Sequence, residues 1–173
     1  MSVERIKEAV RDIPDFPEPG IIFKDITPVL ADPVLFRETV DLMASPYGSA
    51  PPDLVVGIDA RGFIFGAAMA YKLGAGFVPI RKEGKLPFRT RRVSYDLEYG
   101  TATVEIHEDA VRPGTRVLIV DDLLATGGTL DAAVELVRAH GGEIAGIAVL
   151  IELEFLKGRA KFPGLDVRAL IRY

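Results

Sequence analysis

Residues 117–130 read VLIVDDLLATGGTL. Val117 to Val120 run straight into two adjacent carboxylates, Asp121 and Asp122, and a loop of small residues then opens another apolar segment. The apolar run predicts a buried strand, DDLLATGGT a turn, and LDAAVELVRAH a helix with Leu130, Ala133, Val134 and Val137 on one face. The same theme stands upstream. DLVVGI predicts a strand, DARGF a turn, IFGAAMAYKL a helix closed by Gly74, and GFVPI a short strand. Downstream, Gly141 and Gly142 stop the helix and IAGIAVLI predicts a further strand. Apolar strands alternating with helices imply βαβ units, hence an α/β fold with a central parallel sheet flanked by helices.

The flanks differ. Val3, Ile6, Val10 and Ile13 recur at helical spacing, which predicts a short helix over 3–13. PDFPEPG then breaks it, IIFKDITPVL follows as an extended apolar segment, and Asp32-Pro33 predicts a helix start that carries on to about Met43. SPYGSAPP is expected to be a loop. Between the two βαβ themes, VSYDLEYGTATVEIHED alternates in period two, with Gly100 where a hairpin could turn, so an antiparallel excursion is expected there.

Composition narrows the classes of function. The 173 residues suit one domain, and 49% hydrophobic content suits a folded core. The absence of cysteine removes disulfides, thiolate metal sites and thiol nucleophiles. Two histidines, His107 and His140, stand far apart and predict neither a metal cluster nor a catalytic role. No apolar run is long enough for a bilayer, which needs about 20 residues. MSVERIKEAVRDIP has no apolar export core, so a cytoplasmic protein without membrane contact is expected. A net charge of −4 argues against a general nucleic-acid binder.

The loop ATGGT carries the chemistry. In an open α/β sheet, ligands bind beyond the carboxyl ends of strands. Gly127 and Gly128 let the main chain adopt positive φ and approach a ligand, so that successive N–H groups form an anion nest at a helix start. Thr126 and Thr129 add hydroxyl donors. TGGT alone is equally an ordinary tight turn with a threonine cap. The acids Asp121 and Asp122 shift the balance, because two carboxylates at the end of an apolar strand are costly unless they meet hydroxyls, a metal or cations. A ribose beside a phosphate supplies such hydroxyls. No P-loop lysine spacing and no G-x-G-x-x-G is present.

VLIVDDLLATGGT resembles the signature with which type I phosphoribosyltransferases bind phosphoribosyl pyrophosphate (PRPP). FPEPGIIFKDITPVL, GIDARGFIFG, IRKEGKLP and SYDLEYGTATVEIH resemble the adenine-using branch of that family, in order along nearly the whole chain. The resemblance implies a type I phosphoribosyltransferase fold with a small hood, over about 1–30 plus a C-terminal segment, and a mobile loop over about 82–100 on the antiparallel hairpin. It implies the reaction of adenine with PRPP to give AMP and pyrophosphate, with Mg²⁺ held mainly through substrate and water, in a homodimer. Nearest alternatives are a 6-oxopurine or xanthine phosphoribosyltransferase on the same PRPP site, and a PRPP-sensing regulator that binds nucleic acid, for which the acidic balance and the lack of a spare segment speak poorly.

The resemblance also assigns residues. Ala125, Thr126, Gly127, Gly128 and Thr129 take the 5′-phosphate, and Asp121 and Asp122 the ribose hydroxyls. Asp59, Ala60 and Arg61 form the pyrophosphate loop, with a non-proline cis peptide near Asp59-Ala60. Arg61 acts on the leaving group. Arg81, Lys82 and Lys85 bind PRPP, Arg81 across a dimer interface, whereas Arg89, Arg91 and Arg92 receive no role. Glu98 is the candidate for the proton that adenine loses at N9, and Tyr99 supports the lid. Phe23 stacks on the base, while backbone groups of Ile22 and Lys24 meet its Watson–Crick edge.

Overall fold

Alternating apolar strands and amphipathic helices build a seven-stranded sheet. A computed structural model of the chain describes residues 3–97 and 100–173. The chain forms two compact units, one ending at Leu42 and one from Met43 to Tyr173.

In the first unit, helix α1 (Val3–Ala9) is followed by strand β1 (Arg11–Pro14), which pairs antiparallel with β2 (Ile22–Asp25). The helix expected over 3–13 is therefore cut short. Arg11 to Ile13 pair with Phe23 to Asp25 instead, and the proline-rich turn that joins the strands is closed by Gly20 N–H donating to Asp15 Oδ1 at 2.8 Å. The expected extended run IIFKDITPVL is also divided. Its second half is helix α2 (Thr27–Ala31), opened by Asp25 Oδ1 accepting from Thr27 N–H at 2.9 Å and by Pro28 in the first turn. Helix α3 (Pro33–Ala44) begins where Asp32-Pro33 predicts, with Asp32 Oδ1 accepting from the N–H groups of Val34 and Leu35.

In the second unit, β3 (Leu54–Ile58) leads into α4 (Arg61–Leu73), which Gly74 ends in a left-handed conformation. Strand β4 (Gly76–Lys82), the hairpin β5 (Thr90–Asp96) and β6 (Thr101–His107), β7 (Arg116–Leu124), α5 (Gly128–Ala139), β8 (Glu143–Glu152) and β9 (Val167–Arg172) follow. The strand order is β5-β6-β4-β3-β7-β8-β9. Neighbours among β4, β3, β7, β8 and β9 are parallel, and the hairpin joins β4 antiparallel through β6. The α/β expectation is borne out, as is the antiparallel excursion. Val56, Ile58, Ile119, Leu130, Leu136 and Ile147 are among the buried core side chains.

Three boundaries depart from expectation. Strand β7 runs through Asp121 and Asp122 to Leu124, where a turn from Asp121 is predicted, because the long β8 continues the ladder alongside, Asp121 opposite Val149 and Leu124 opposite Glu152. Helix α4 takes in Arg61 to Phe63. Strand β9, unmarked in the sequence reading, closes one edge of the sheet. Among the described residues no helix is long and apolar enough to cross a membrane.

Candidate active site

The paired strands β3 and β7 deliver their strand-to-helix turns side by side. Val56 lies opposite Ile119 and Gly57 opposite Val120, so Asp59, just past the end of β3, comes beside Asp121 in the last part of β7. Between them opens a cavity of about 810 Å³. Asp59, Ala60 and Arg61 line it from one turn, Asp121, Asp122 and Ala125 to Thr129 from the other, and Lys82, Glu83, Tyr95 and Thr101 to Val104 from the β4 end and hairpin.

The acids are held differently. Asp122 is buried at 7% exposure, and its Oδ2 stands 2.6 Å from Arg61 Nε. The residue expected on the leaving group thus pairs with one expected on the ribose. Asp121 Oδ1 accepts the Asp122 N–H at 2.9 Å. A methyl group on Gly62 would stand 2.9 Å from that same Asp121 oxygen, so the start of α4 lies directly over the carboxylate. Burial pushes the Asp121 carboxyl well above its ordinary range, and the charge of Asp122 adds to the push, while the Asp122 amide and Arg61 pull the other way. Such a group gains from hydroxyl donors or a cation.

The 125–129 loop has the form of an anion site. Gly127 adopts φ 86° and precedes α5, whose first N–H groups have no helical acceptor. Gly128, expected to share positive φ, instead begins the helix. Thr129 Oγ1 donates to Tyr95 Oη at 3.0 Å, which ties the loop to the hairpin. The peptide between Asp59 and Ala60 is cis, where the resemblance places one.

Arg81 and Lys85 are not among the residues lining the cavity. Arg81 Nε donates to Asp59 Oδ2 at 3.1 Å, and its guanidinium lies 5.9 Å from the centre of the Phe63 ring. Ile22, Phe23 and Lys24 belong to β2 in the first unit, where Phe23 meets Phe16 edge-on and Lys24 Nζ lies 2.6 Å from Asp12 Oδ1. Glu98 and Tyr99 lie outside the described residues. His107 is half-buried, accepting from Phe88 N–H at 3.3 Å.

Two residues escaped the sequence reading. Tyr95 shares the inward face of β5 with Val93, a placement visible in the period-two pattern, although its bond to Thr129 is not. Glu105 is 4% exposed, accepts Gly84 N–H at 3.1 Å and stands 3.8 Å from Arg92, so it organises the basic turn after β4. A lone glutamate in an alternating strand gives no sign of this.

The chain is similar to known proteins in sequence and in fold. The family model described as "Phosphoribosyl transferase domain" matches residues 26–162. The adenine phosphoribosyltransferase of Acidobacterium capsulatum is 60% identical over 173 residues, covering 100% of this chain and 96% of the relative. The crystal structure of the adenine phosphoribosyltransferase from Thermoanaerobacter pseudethanolicus superposes with a TM-score of 0.96 at 52% identity, over 99% of this chain and all of that one. That of the Giardia lamblia enzyme complexed with 9-deazaadenine gives a TM-score of 0.94 at 41% identity, over 100% of this chain and 98% of the other.

Proposed function

This chain belongs to the phosphoribosyl transferase family, and from that premise we propose that the crevice beyond β3 and β7 is its active site. The protein transfers the phosphoribosyl group of PRPP to adenine, giving AMP and pyrophosphate. The observation that carries the site assignment is the convergence of two strand-to-helix turns on one cavity, bridged by the Arg61–Asp122 pair at 2.6 Å.

The chemistry follows from charge. Pyrophosphate leaves the anomeric carbon as positive charge builds on the sugar, so the site must hold an anion at each end and a developing cation between them. Main-chain amides of Ala125 to Thr129 receive the 5′-phosphate. Asp121 and Asp122 accept from the ribose hydroxyls, which relieves the burial that raises the Asp121 pKa and favours its ionised form. Asp59, Ala60 and Arg61 take the pyrophosphate, together with Lys82 and the nearby Arg81 and Lys85. Phe23 stacks on adenine, Ile22 and Lys24 meet its edge through their backbones, and Glu98 receives the N9 proton.

Asp121 and Asp122 offer the hard oxygens that suit Mg²⁺, and no group of three or more potential metal ligands gathers among the described residues. The residues present therefore fit an ion held mainly by substrate oxygens and water, with these acids nearby. When bound, such an ion neutralises charge on the departing pyrophosphate. The reading includes a homodimer, in which Arg81 reaches PRPP across the interface. Phosphorylated substrates support a cytoplasmic setting.

The test is a panel of bases. Incubated with PRPP, Mg²⁺ and adenine, hypoxanthine, guanine or xanthine in turn, the protein forms AMP with a kcat/KM higher by about 10⁴-fold than for any 6-oxopurine, the discrimination expected of a site that hydrogen-bonds its substrate. IMP or GMP formed faster than AMP overturns the substrate. Asp122→Asn with full activity overturns the placement of the ribose.

A further inference from the structure

The phosphate loop rests on a second turn. After β8 the chain makes two short 3₁₀ turns, Glu154–Leu156 and Gly158–Lys161, joined through Lys157 in a left-handed conformation. Gly158 is buried against the loop. A methyl group on its α-carbon would stand 2.2 Å from the Ala125 carbonyl oxygen, 2.9 Å from Leu124 Cδ1 and 3.0 Å from the Gly127 nitrogen. The contact is mutual, since a methyl group on Gly127 would stand 2.9 Å from the Gly158 carbonyl oxygen. Two bare backbones therefore pack face to face, and no side chain fits at 158 unless one of them moves.

Anchoring decides which one moves. The turn is pinned from behind: Arg159 Nε and Nη2 donate to the two Glu152 carboxylate oxygens at 2.9 and 2.5 Å, and Nη1 to the Val167 carbonyl. Glu152 is 4% exposed at the end of β8, and Arg172 of β9 stands 3.6 Å from its Oε2. The turn is thus fixed to two sheet strands. Ala125 to Gly127 lie between the end of β7 and the start of α5, outside both ladders, so the loop is the softer partner.

We infer that Gly158 is a positioning residue for the phosphate loop. Its bare backbone, held by the Arg159–Glu152 pair, sets the height of the Ala125–Gly127 main chain and hence the aim of the amides that receive the 5′-phosphate. The inference rests on the assignment of 125–129 to that phosphate. Opening the 2.2 Å contact to an ordinary one above 3.4 Å displaces the loop by about 1 Å, a misplacement that costs about 100-fold where geometry matters.

The experiment measures ribose 5-phosphate and pyrophosphate binding by calorimetry, with amide resonances followed by NMR. On the unaltered protein, ribose 5-phosphate shifts the amides of Ala125 to Thr129. If it shifts others, the phosphate assignment itself fails. With the ligand so located, Gly158→Ala weakens ribose 5-phosphate about 10- to 100-fold and leaves pyrophosphate within about twofold, because the Asp59–Arg61 turn is untouched. Adding Arg159→Met to Gly158→Ala restores part of the affinity, since the released turn then yields in place of the loop. Unchanged ribose 5-phosphate binding in Gly158→Ala, or an equal loss for both ligands, overturns the inference. Should Gly158→Ala fail to fold, Arg159→Met alone decides. It shifts the free-protein resonances of Ala125 to Gly127 and weakens ribose 5-phosphate, and unchanged resonances overturn the inference.

Discussion

Asp121 shows how a single side chain trades stability for binding. Its carboxyl is held well above the usual range by burial and by Asp122. The native form therefore takes up a proton more readily than the unfolded chain, whose aspartates titrate near about 3.9. It follows that the ligand-free protein loses stability as pH rises from there through the raised native value. Asp121→Asn removes the penalty. The variant's melting temperature at pH 8 is expected to rise by about 2–4 °C, the shift that about 1 kcal/mol produces at this size, while kcat/KM for PRPP falls at least about tenfold. Calorimetry and steady-state rates read the two effects, and a variant less stable than the parent at both pH 4 and pH 8 refutes the account. This residue was legible in the sequence, because charge at the end of an apolar run demands a reason. Gly158 was not, because its constraint comes from a distant stretch of backbone and a glycine in a turn looks the same whether or not anything presses on it.

At the scale of elements, a hydroxyl pair joins the hairpin to the phosphate loop. Thr129 and Tyr95 are 34 residues apart, and their bond at 3.0 Å ties the start of α5 to β5, as Arg91 Nη1 donating to the Ala139 carbonyl ties its end. A methyl group on Gly128 would stand 3.2 Å from the Tyr95 ring, so the contact is close as well as polar. Tyr95→Phe keeps the packing and removes the acceptor, at a cost of about 1 kcal/mol. Amide exchange across Thr90–Asp96 should quicken about fivefold, with global unfolding little changed. Unaltered exchange there means the hydroxyls do not couple the two elements. Periodicity found the hairpin and the βαβ units, since the inward face of each element repeats in the sequence. It misjudged their ends. Arg11 to Ile13 keep helical spacing yet pair with β2, and Asp121 to Leu124 extend β7 because β8 is long enough to hold them. Ladder partners decide such boundaries, and they are not local.

For the whole molecule, carboxylates shifted in opposite directions shape the stability profile. The Arg159 guanidinium lowers the Glu152 carboxyl below its usual range, and Arg172 adds to this. A lowered native value contributes stability that is present above the unfolded carboxylate value and lost as pH falls through the native one. Glu152 thus steepens the acid limb, whereas Asp121 weakens the protein above it. Glu152→Gln should lower the urea midpoint at pH 7 and flatten its fall as pH drops below the unfolded glutamate value of about 4.3. A midpoint that drops as steeply with acid as in the parent rules Glu152 out as the source. The strand order carries one more consequence. The sheet ends on β5 and β9, whose outer rims present unmatched backbone groups that could zip onto another copy. Arg91 and Arg92 stand on the first and Arg168 and Arg172 on the second. Long charged side chains along an edge strand make it a poor template for a further strand, so these arginines, even paired with neighbouring acids, disfavour stacking into fibres.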